Sequence, residues 1–193
     1  MGTVKVVGLD VETEALVKAK ARGIETYCTD LNDSLPFAEE NFDVIHANQV
    51  IEHLSNTDLF IKEIHRILRP RGYAVIATPN LASLPNIAYL LLGIQPYDAS
   101  VSDEVIVGSW HPIKVSLNST YPMGMLGHRR LFTLRALKGL FEYYGFEVEK
   151  AIGCGYYPLP TILAHFMSLV DKKHCAYIVI KVRKMSERCQ IPK

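Results

Sequence analysis

The sequence predicts an α/β protein, a three-layer sandwich whose helices cover a mostly parallel sheet. Residues 41–80 read as strand, helix, strand: an apolar run over 42–47 ends in polar Asn48 and Gln49, Ile61, Ile64 and Leu68 repeat at helical spacing, and 73–78 is a second apolar run. Such a crossover is right-handed and builds parallel sheets. Strand and helix also alternate before this unit, from residue 4, and after it, from Thr133. With 49% apolar and 21% charged residues among 193, the chain suits one domain over 1–183 with a sizeable core.

Residues 4–9 (VKVVGL) are expected as a buried strand ending at Asp10, and Thr13 as the cap of a helix that Gly23 closes after Arg22. Residues 24–28 are the next strand, ending at Thr29-Asp30. In the central unit Ser55 and Asp58 have capping-box spacing, with the shorter acid in place of Glu. Arg69-Pro70-Arg71-Gly72 stops that helix, because Pro removes a donor and Gly tolerates a turn. Residues 81–130 change character, with Pro85, Pro96, Pro112 and Pro122 among Tyr89, Tyr97, Trp110 and Tyr121. A segment that long between sheet elements is uncommon unless it is a lid or partly disordered, and 86–93 reads as a short apolar helix within it. Thr133 caps a helix with Leu137, Leu140, Phe141 and Tyr144 on one face, and Gly145 ends it. A strand over 146–151, a rigid turn over 155–160, an apolar helix of about ten residues and a last strand over 176–182 complete the domain. The tail, 184–193, is expected to be loose.

Lys plus Arg (21) nearly balance Asp plus Glu (20), which leaves no electrostatic footprint for duplex nucleic acid. Cys28, Cys154, Cys175 and Cys189 are widely spaced, so neither a zinc site nor a disulfide framework is expected, no residue is singled out as a metal ligand, and a reducing, cytoplasmic compartment fits. The most apolar segment, 87–94, is too short for a transmembrane helix. Met1-Gly2 begins like a myristoylation signal, but Val6 stands where Ser or Thr is needed, and no signal-peptide pattern is present.

FDVI, a polar pair, IEHL, a helix closing on L-x-P-x-G and a strand finishing in TPN together resemble the central part of class I S-adenosylmethionine-dependent methyltransferases. The H-x-R-x-F-T run from His128, with its helix and the GF-x-V that follows, is similar to the same family. The resemblance implies a Rossmann-like fold whose last strand runs antiparallel, S-adenosylmethionine as cofactor and methyl transfer to a small-molecule acceptor. It also implies that the substrate cover is inserted within 81–130. In an open parallel sheet, ligands sit outside the carboxyl ends of the strands, so Asp10, Asp30 and Asn48 belong at one rim. The resemblance implies Asp10 on the ribose, Val11 against the adenine face, Asp30 on the adenine amino group, Leu31 beside the ring and Asn48 on the methionine side. By themselves, Asp10 and Asp30 read equally well as turn or cap residues.

The family's first strand and its glycine-rich loop, roughly D-x-G-x-G-x-G, have no counterpart here: VKVVGLD corresponds to the second strand. Gly153-Cys154-Gly155 follows a late strand and does not take that role. The missing strand belongs between the strands ending at Asp10 and Asn48, so two ladder edges should lie unpaired. The record may start downstream of the true beginning, which is the expected case; another chain may supply the strand; or the two neighbours may close on each other. An unpaired edge would also favour a homodimer.

Methyl transfer from a sulfonium is an in-line displacement that needs positioning above all, and a base only where the acceptor must lose a proton. His53, just past the rim, and His128, at the end of the cover, are the candidate catalytic groups. Glu52 reads as a local structural acid, His46 as a satisfied core residue, His65 as exposed and His111 as uninformative; Arg129 and Arg130 would hold an anionic group or be solvated. A nicotinamide-dependent oxidoreductase is the competing enzyme reading, since an acid after the second strand serves NAD ribose equally well. A non-catalytic relative acting through a partner is the third.

Overall fold

A computed structural model describes residues 4–96, 98–102, 107–108 and 127–185. Met1-Gly2, Tyr97, Trp110, His111, Pro112, Tyr121, Pro122, Cys189 and the tail beyond Met185 lie outside the described residues. The elements are β1 (Val7–Asp10), α1 (Thr13–Lys20), β2 (Glu25–Cys28), β3 (Phe42–Asn48), a 3-10 turn (Ile51–His53), α2 (Thr57–Ile67), β4 (Leu68–Pro79), α3 (Leu84–Leu91), α4 (Leu134–Tyr143), β5 (Phe146–Cys154), α5 (Thr161–Val170) and β6 (Tyr177–Lys184). Among the described residues no helix is long and apolar enough to cross a membrane.

The strands form two ladders, in keeping with the two unpaired edges expected where the central strand is missing. β1 and β2 pair in parallel, and a separate sheet runs β3-β4-β6-β5, with β3 parallel to β4 and β6 antiparallel to both β4 and β5. The last strand is therefore antiparallel, as the resemblance implied. β1 and β3 do not pair with each other, so the gap has not closed. Its consequence is exposure: β1 is half-buried, and within β3 Val44 is 46% exposed and His46 lies open to solvent. The expectations of a buried first strand and of a core His46 are corrected accordingly. Apolar character identified both strands, but burial needs a neighbour on each edge.

The second ladder carries the core. Phe60, Ile61, Ile64 and Ile67 of α2 are buried with Ala74 and Ile76 of β4, Leu137 and Phe141 of α4 and Ile178, Ile180 and Val182 of β6. Each fully buried side chain of this kind contributes roughly 1.5–3 kcal/mol. His65, expected on an exposed face, is half-buried with its ring 5.2 Å from that of Phe146, because Gly145 (φ +85) brings β5 back beneath α2.

Helix starts differ by a residue from the sequence reading in two places. Asn56, not Ser55, caps α2: its side chain accepts from the Leu59 amide, while the Ser55 hydroxyl is engaged by Asn32. Glu12, not Thr13, precedes α1, and no side chain caps that helix. α3 starts two residues earlier than expected, with Pro85 in its first turn, where a missing amide costs nothing. Thr133 does cap α4, accepting from the Ala136 amide at 3.2 Å. The stop after α2 works otherwise than expected, since β4 begins at Leu68 without a loop and Arg71 takes the positive φ of 65°. Gly72 is needed for close approach, because a Cβ there would sit 2.9 Å from the Arg69 carbonyl and 3.1 Å from that of Asp43.

Residues 30–42 join the two ladders. Asn32 Oδ1 accepts from the Ser55 amide and hydroxyl and the Asn56 amide at 2.8–3.0 Å. Glu63 accepts from the Leu35 amide at 2.7 Å and pairs with Arg66, which donates to the Leu35 and Phe37 carbonyls. Phe37 stacks edge-on between Tyr27 of β2 and Phe42 of β3, at centroid distances of 5.1 and 4.9 Å. The Arg66 guanidinium holds the Glu63 carboxyl below its ordinary 4.5, outweighing the opposing effect of burial.

Asn80 closes the far end of β4. It is fully buried; its Nδ2 donates to the carbonyls of Lys173 and Cys175 at 2.7 Å, and its Oδ1 accepts from the Ala82 amide at 3.1 Å.

Replacing Asn80 by Ala leaves two carbonyls and an amide without partners, and we expect a loss of about 3 kcal/mol, read as a lowered urea midpoint at unchanged slope. Because the folded-state pKa of Glu63 is depressed, the stability it confers is complete above its unfolded value and disappears as pH falls through the folded one. Chemical denaturation of wild type and Glu63→Gln between pH 7 and 3 should therefore show a gap that narrows toward the acid end. A gap of constant width would contradict this assignment.

Candidate functional site

The parallel strands deliver their carboxyl ends to one neighbourhood. Asp10 ends β1 opposite Cys28, and the Thr29 amide donates to the Asp10 carbonyl at 3.1 Å, so Asp10 and Asp30 occupy adjacent tips. Each acid is partly engaged locally: Asp10 Oδ1 accepts from the Glu12 amide, and Asp30 Oδ1 accepts from the Asn32 amide and Nδ2. These are Asx turns, so the turn reading of both acids holds. It does not exhaust them, since the Oδ2 atoms take no hydrogen bond among the described residues. Val11 is 62% exposed and Leu31 half-buried beside them.

Asn48 ends β3 and is exposed. Asn32, two residues past Asp30, holds Ser55 and Asn56, seven and eight positions beyond Asn48. This contact ties the segment after β2 to the segment after β3. Gln49, at φ +56 with its amide on the Ala77 carbonyl, turns the chain out of β3 into the 3-10 turn Ile51–His53. A non-glycine residue in that region is strained by about 1–2 kcal/mol.

The turn places a second group of side chains beyond the rim. Glu52 is completely buried, its Oε2 accepting from the Thr78 hydroxyl at 2.9 Å and its Oε1 lacking a partner among the described residues. The Glu52 carbonyl accepts from the amides of Arg129 and Arg130, at 2.8 and 3.2 Å, which clamps the end of the cover onto the turn. His128 is thereby brought against His53, with ring centroids 4.8 Å apart. The His128 Nδ1 lies 3.0 Å from the Asp98 carbonyl, which can only accept, so Nδ1 donates in this contact and Nε2 is the ring nitrogen left over. The Arg130 guanidinium donates to the Ser55 carbonyl at 2.8 Å.

The sequence reading proposed His53 and His128 separately, and the structure brings them together. It also adds Glu52, Thr78 and Asn32, whose partners lie 26, 26 and 23 positions away and left no local signal. A cleft bordered by Ala82, Arg135, Lys138, Lys173 and His174 shares no residue with this neighbourhood.

A family model described as a methyltransferase domain matches residues 1–76. A probable S-adenosylmethionine-dependent methyltransferase of Mycolicibacterium smegmatis is 37% identical over 78 residues, 39% of this chain and 30% of that protein. A ubiquinone biosynthesis O-methyltransferase of Parvibaculum lavamentivorans is 28% identical over 137 residues, 71% of this chain and 46% of its own. A solved S-adenosylmethionine-dependent methyltransferase from Thermotoga maritima, described as a possible histamine N-methyltransferase, superposes with a TM-score of 0.61 at 18% identity, covering 93% of this chain and 72% of the other. Another, from Mesorhizobium loti, gives 0.60 at 19%, covering 95% and 82%. At these identities the solved structures establish the shared fold. The chain spans 30–33% of the first curated relatives it matches. Residues 1–76 are thus similar to a methyltransferase domain, and the chain as a whole shares the fold of solved S-adenosylmethionine-dependent methyltransferases.

Proposed function

We propose that this chain acts in S-adenosylmethionine-dependent methylation of a small molecule, at a hydroxyl oxygen. The observation that carries the reading is the juxtaposition at the strand ends: two acids with uncommitted oxygens at adjacent tips, and an imidazole pair beyond them. Asp10 would accept from the ribose hydroxyls and Asp30 from the adenine amino group, with Val11 and Leu31 against the ring and Asn48 on the methionine side. A carboxylate oxygen suits both tasks, since it accepts only and takes charge-assisted hydrogen bonds. When bound, the cofactor supplies an electrophilic methyl group on sulfur. What the chain contributes is orientation, by strand ends whose following segments Asn32 ties together, and an acceptor side formed by His53 and His128.

An oxygen acceptor is favoured by the relatives, several of which are ubiquinone biosynthesis O-methyltransferases. The same matches favour a sulfonium donor over a nicotinamide one. Free Cys28, Cys154 and Cys175 fit a cytoplasmic setting. The unpaired edges of β1 and β3 suit pairing with a second copy, which light scattering of the purified chain would reveal as a dimer mass.

Calorimetry with S-adenosylhomocysteine tests the reading. We expect one-to-one binding, weakened about 10- to 100-fold in Asp10→Ala by the loss of hydrogen bonds to a charged group, and likewise in Asp30→Ala. Equal affinity in both variants and wild type would refute the assignment of the rim. Absence of heat for S-adenosylhomocysteine alongside binding of NAD would refute the donor.

A further inference from the structure

Glu52 is unusual for a buried acid. One carboxylate oxygen is satisfied by Thr78, while the other, at zero exposure, faces no donor among the described residues. A buried carboxylate oxygen left without a hydrogen bond is costly, and nothing in the backbone requires it. The clamp onto Arg129 and Arg130 uses the Glu52 carbonyl, which any residue supplies.

The surroundings indicate what the bare oxygen is for. One carboxylate oxygen of Glu52 and one ring nitrogen each of His53 and His128 all lie within 4.8 Å of one another. Ligands of a tetrahedral zinc ion with bonds near 2.0–2.1 Å stand about 3.4 Å apart, so side-chain rotations of about an ångström close the set. Two features outside the set resemble those around metal ligands. The Nδ1–H of His128 donates to the Asp98 carbonyl, which leaves Nε2 as the ring nitrogen for a metal, and Thr78 orients the Glu52 carboxylate.

We propose that Glu52, His53 and His128 form a binding site for a borderline first-row divalent cation such as Zn2+. Two imidazoles with one carboxylate favour such an ion over Mg2+ or Ca2+, which prefer all-oxygen shells. Three protein ligands leave coordination open, as in catalytic rather than structural sites. Resting on the methyltransferase reading, the open position takes the acceptor's hydroxyl oxygen, whose proton leaves to solvent. The acceptor class is then a phenol or alcohol able to bind a metal through oxygen.

The test uses the purified full chain, stripped with chelator and titrated with ZnCl2 by calorimetry and with CoCl2 by visible absorption. One equivalent should bind, with cobalt giving the absorption of a mixed nitrogen and oxygen site. Glu52→Gln and His128→Asn should each weaken binding on the order of 100-fold, and Thr78→Val about 10-fold. His53→Ala, at a half-buried position and judged with its thermal melt, keeps the test decisive should the buried variants unfold. Failure of wild type to bind either ion, or wild-type affinity in a folded His53→Ala, would overturn the site. S-adenosylhomocysteine binding, measured separately without metal, shows whether such a failure also touches the methyltransferase reading.

Discussion

The hydrogen-bond ladder of β4 is the constraint on which the rest of the molecule depends. It is paired along both edges, with β3 in parallel from Val44 opposite Tyr73 to Asn48 opposite Ala77, and with β6 in antiparallel from Tyr73 opposite Arg183 to Pro79 opposite Tyr177. A strand held on two sides cannot slip by one residue without turning every core side chain to the wrong face. Its carboxyl end is therefore a fixed point, and both polar hubs hang from it. Thr78 orients Glu52, and two residues on Asn80 gathers the loop over 173–175. The clamp from Glu52 onto the end of the cover extends this chain of constraint to His128.

The outer edges of β1 and β3 pose the opposite problem. Their amides and carbonyls take no ladder partner among the described residues and must turn to water or to another strand. Lys5 and Glu25 pair beside β1 at 2.8 Å, and Arg69 holds Asp43 of β3 by two bonds, at 2.7 and 2.8 Å. These pairs are exposed and contribute little to stability. The joining segment does more, since it couples the small ladder to the large one through buried Leu35, the Glu63–Arg66 pair and the Phe37 stack. The small ladder is thus tied to the large one without a strand between them.

The parts of this architecture that were legible in the sequence are those written in short-range pattern. The α2 and α4 stripes, the apolar runs of β4 and β6 and the Thr133 cap depend on spacing within a few residues and were found there, except that Leu68, read as the end of the α2 stripe, is the first residue of β4. Asp10, Asp30 and Asn48 were legible as strand ends for the same reason. What failed depends on partners distant in the chain. Ser55 lost its capping role because Asn32, 23 positions earlier, engages its hydroxyl. His46 reads as core in a strand assumed to have two neighbours, and His65 as surface until β5 returns beneath it. Glu52 could not be ranked among the histidines, because a glutamate's burial is invisible until Thr78 is seen to meet it.

Glu52 also shows why fold and site are distinct demands on one residue. For the fold, this position must supply a carbonyl to two amides and a side chain that accepts from Thr78, and a neutral glutamine oxygen would meet the second need without desolvating a charge. The carboxylate is the costlier solution, and its cost falls on the oxygen that the fold leaves bare. Structures keep such groups where the environment of use differs from that of the isolated chain, so that a bound positive charge supplies what the protein withholds. The two imidazoles beside it point the same way, since ring nitrogens are common ligands of the same class of cation. Local imbalance in an otherwise satisfied core is thus the physical mark separating this cluster from the turns and caps around it.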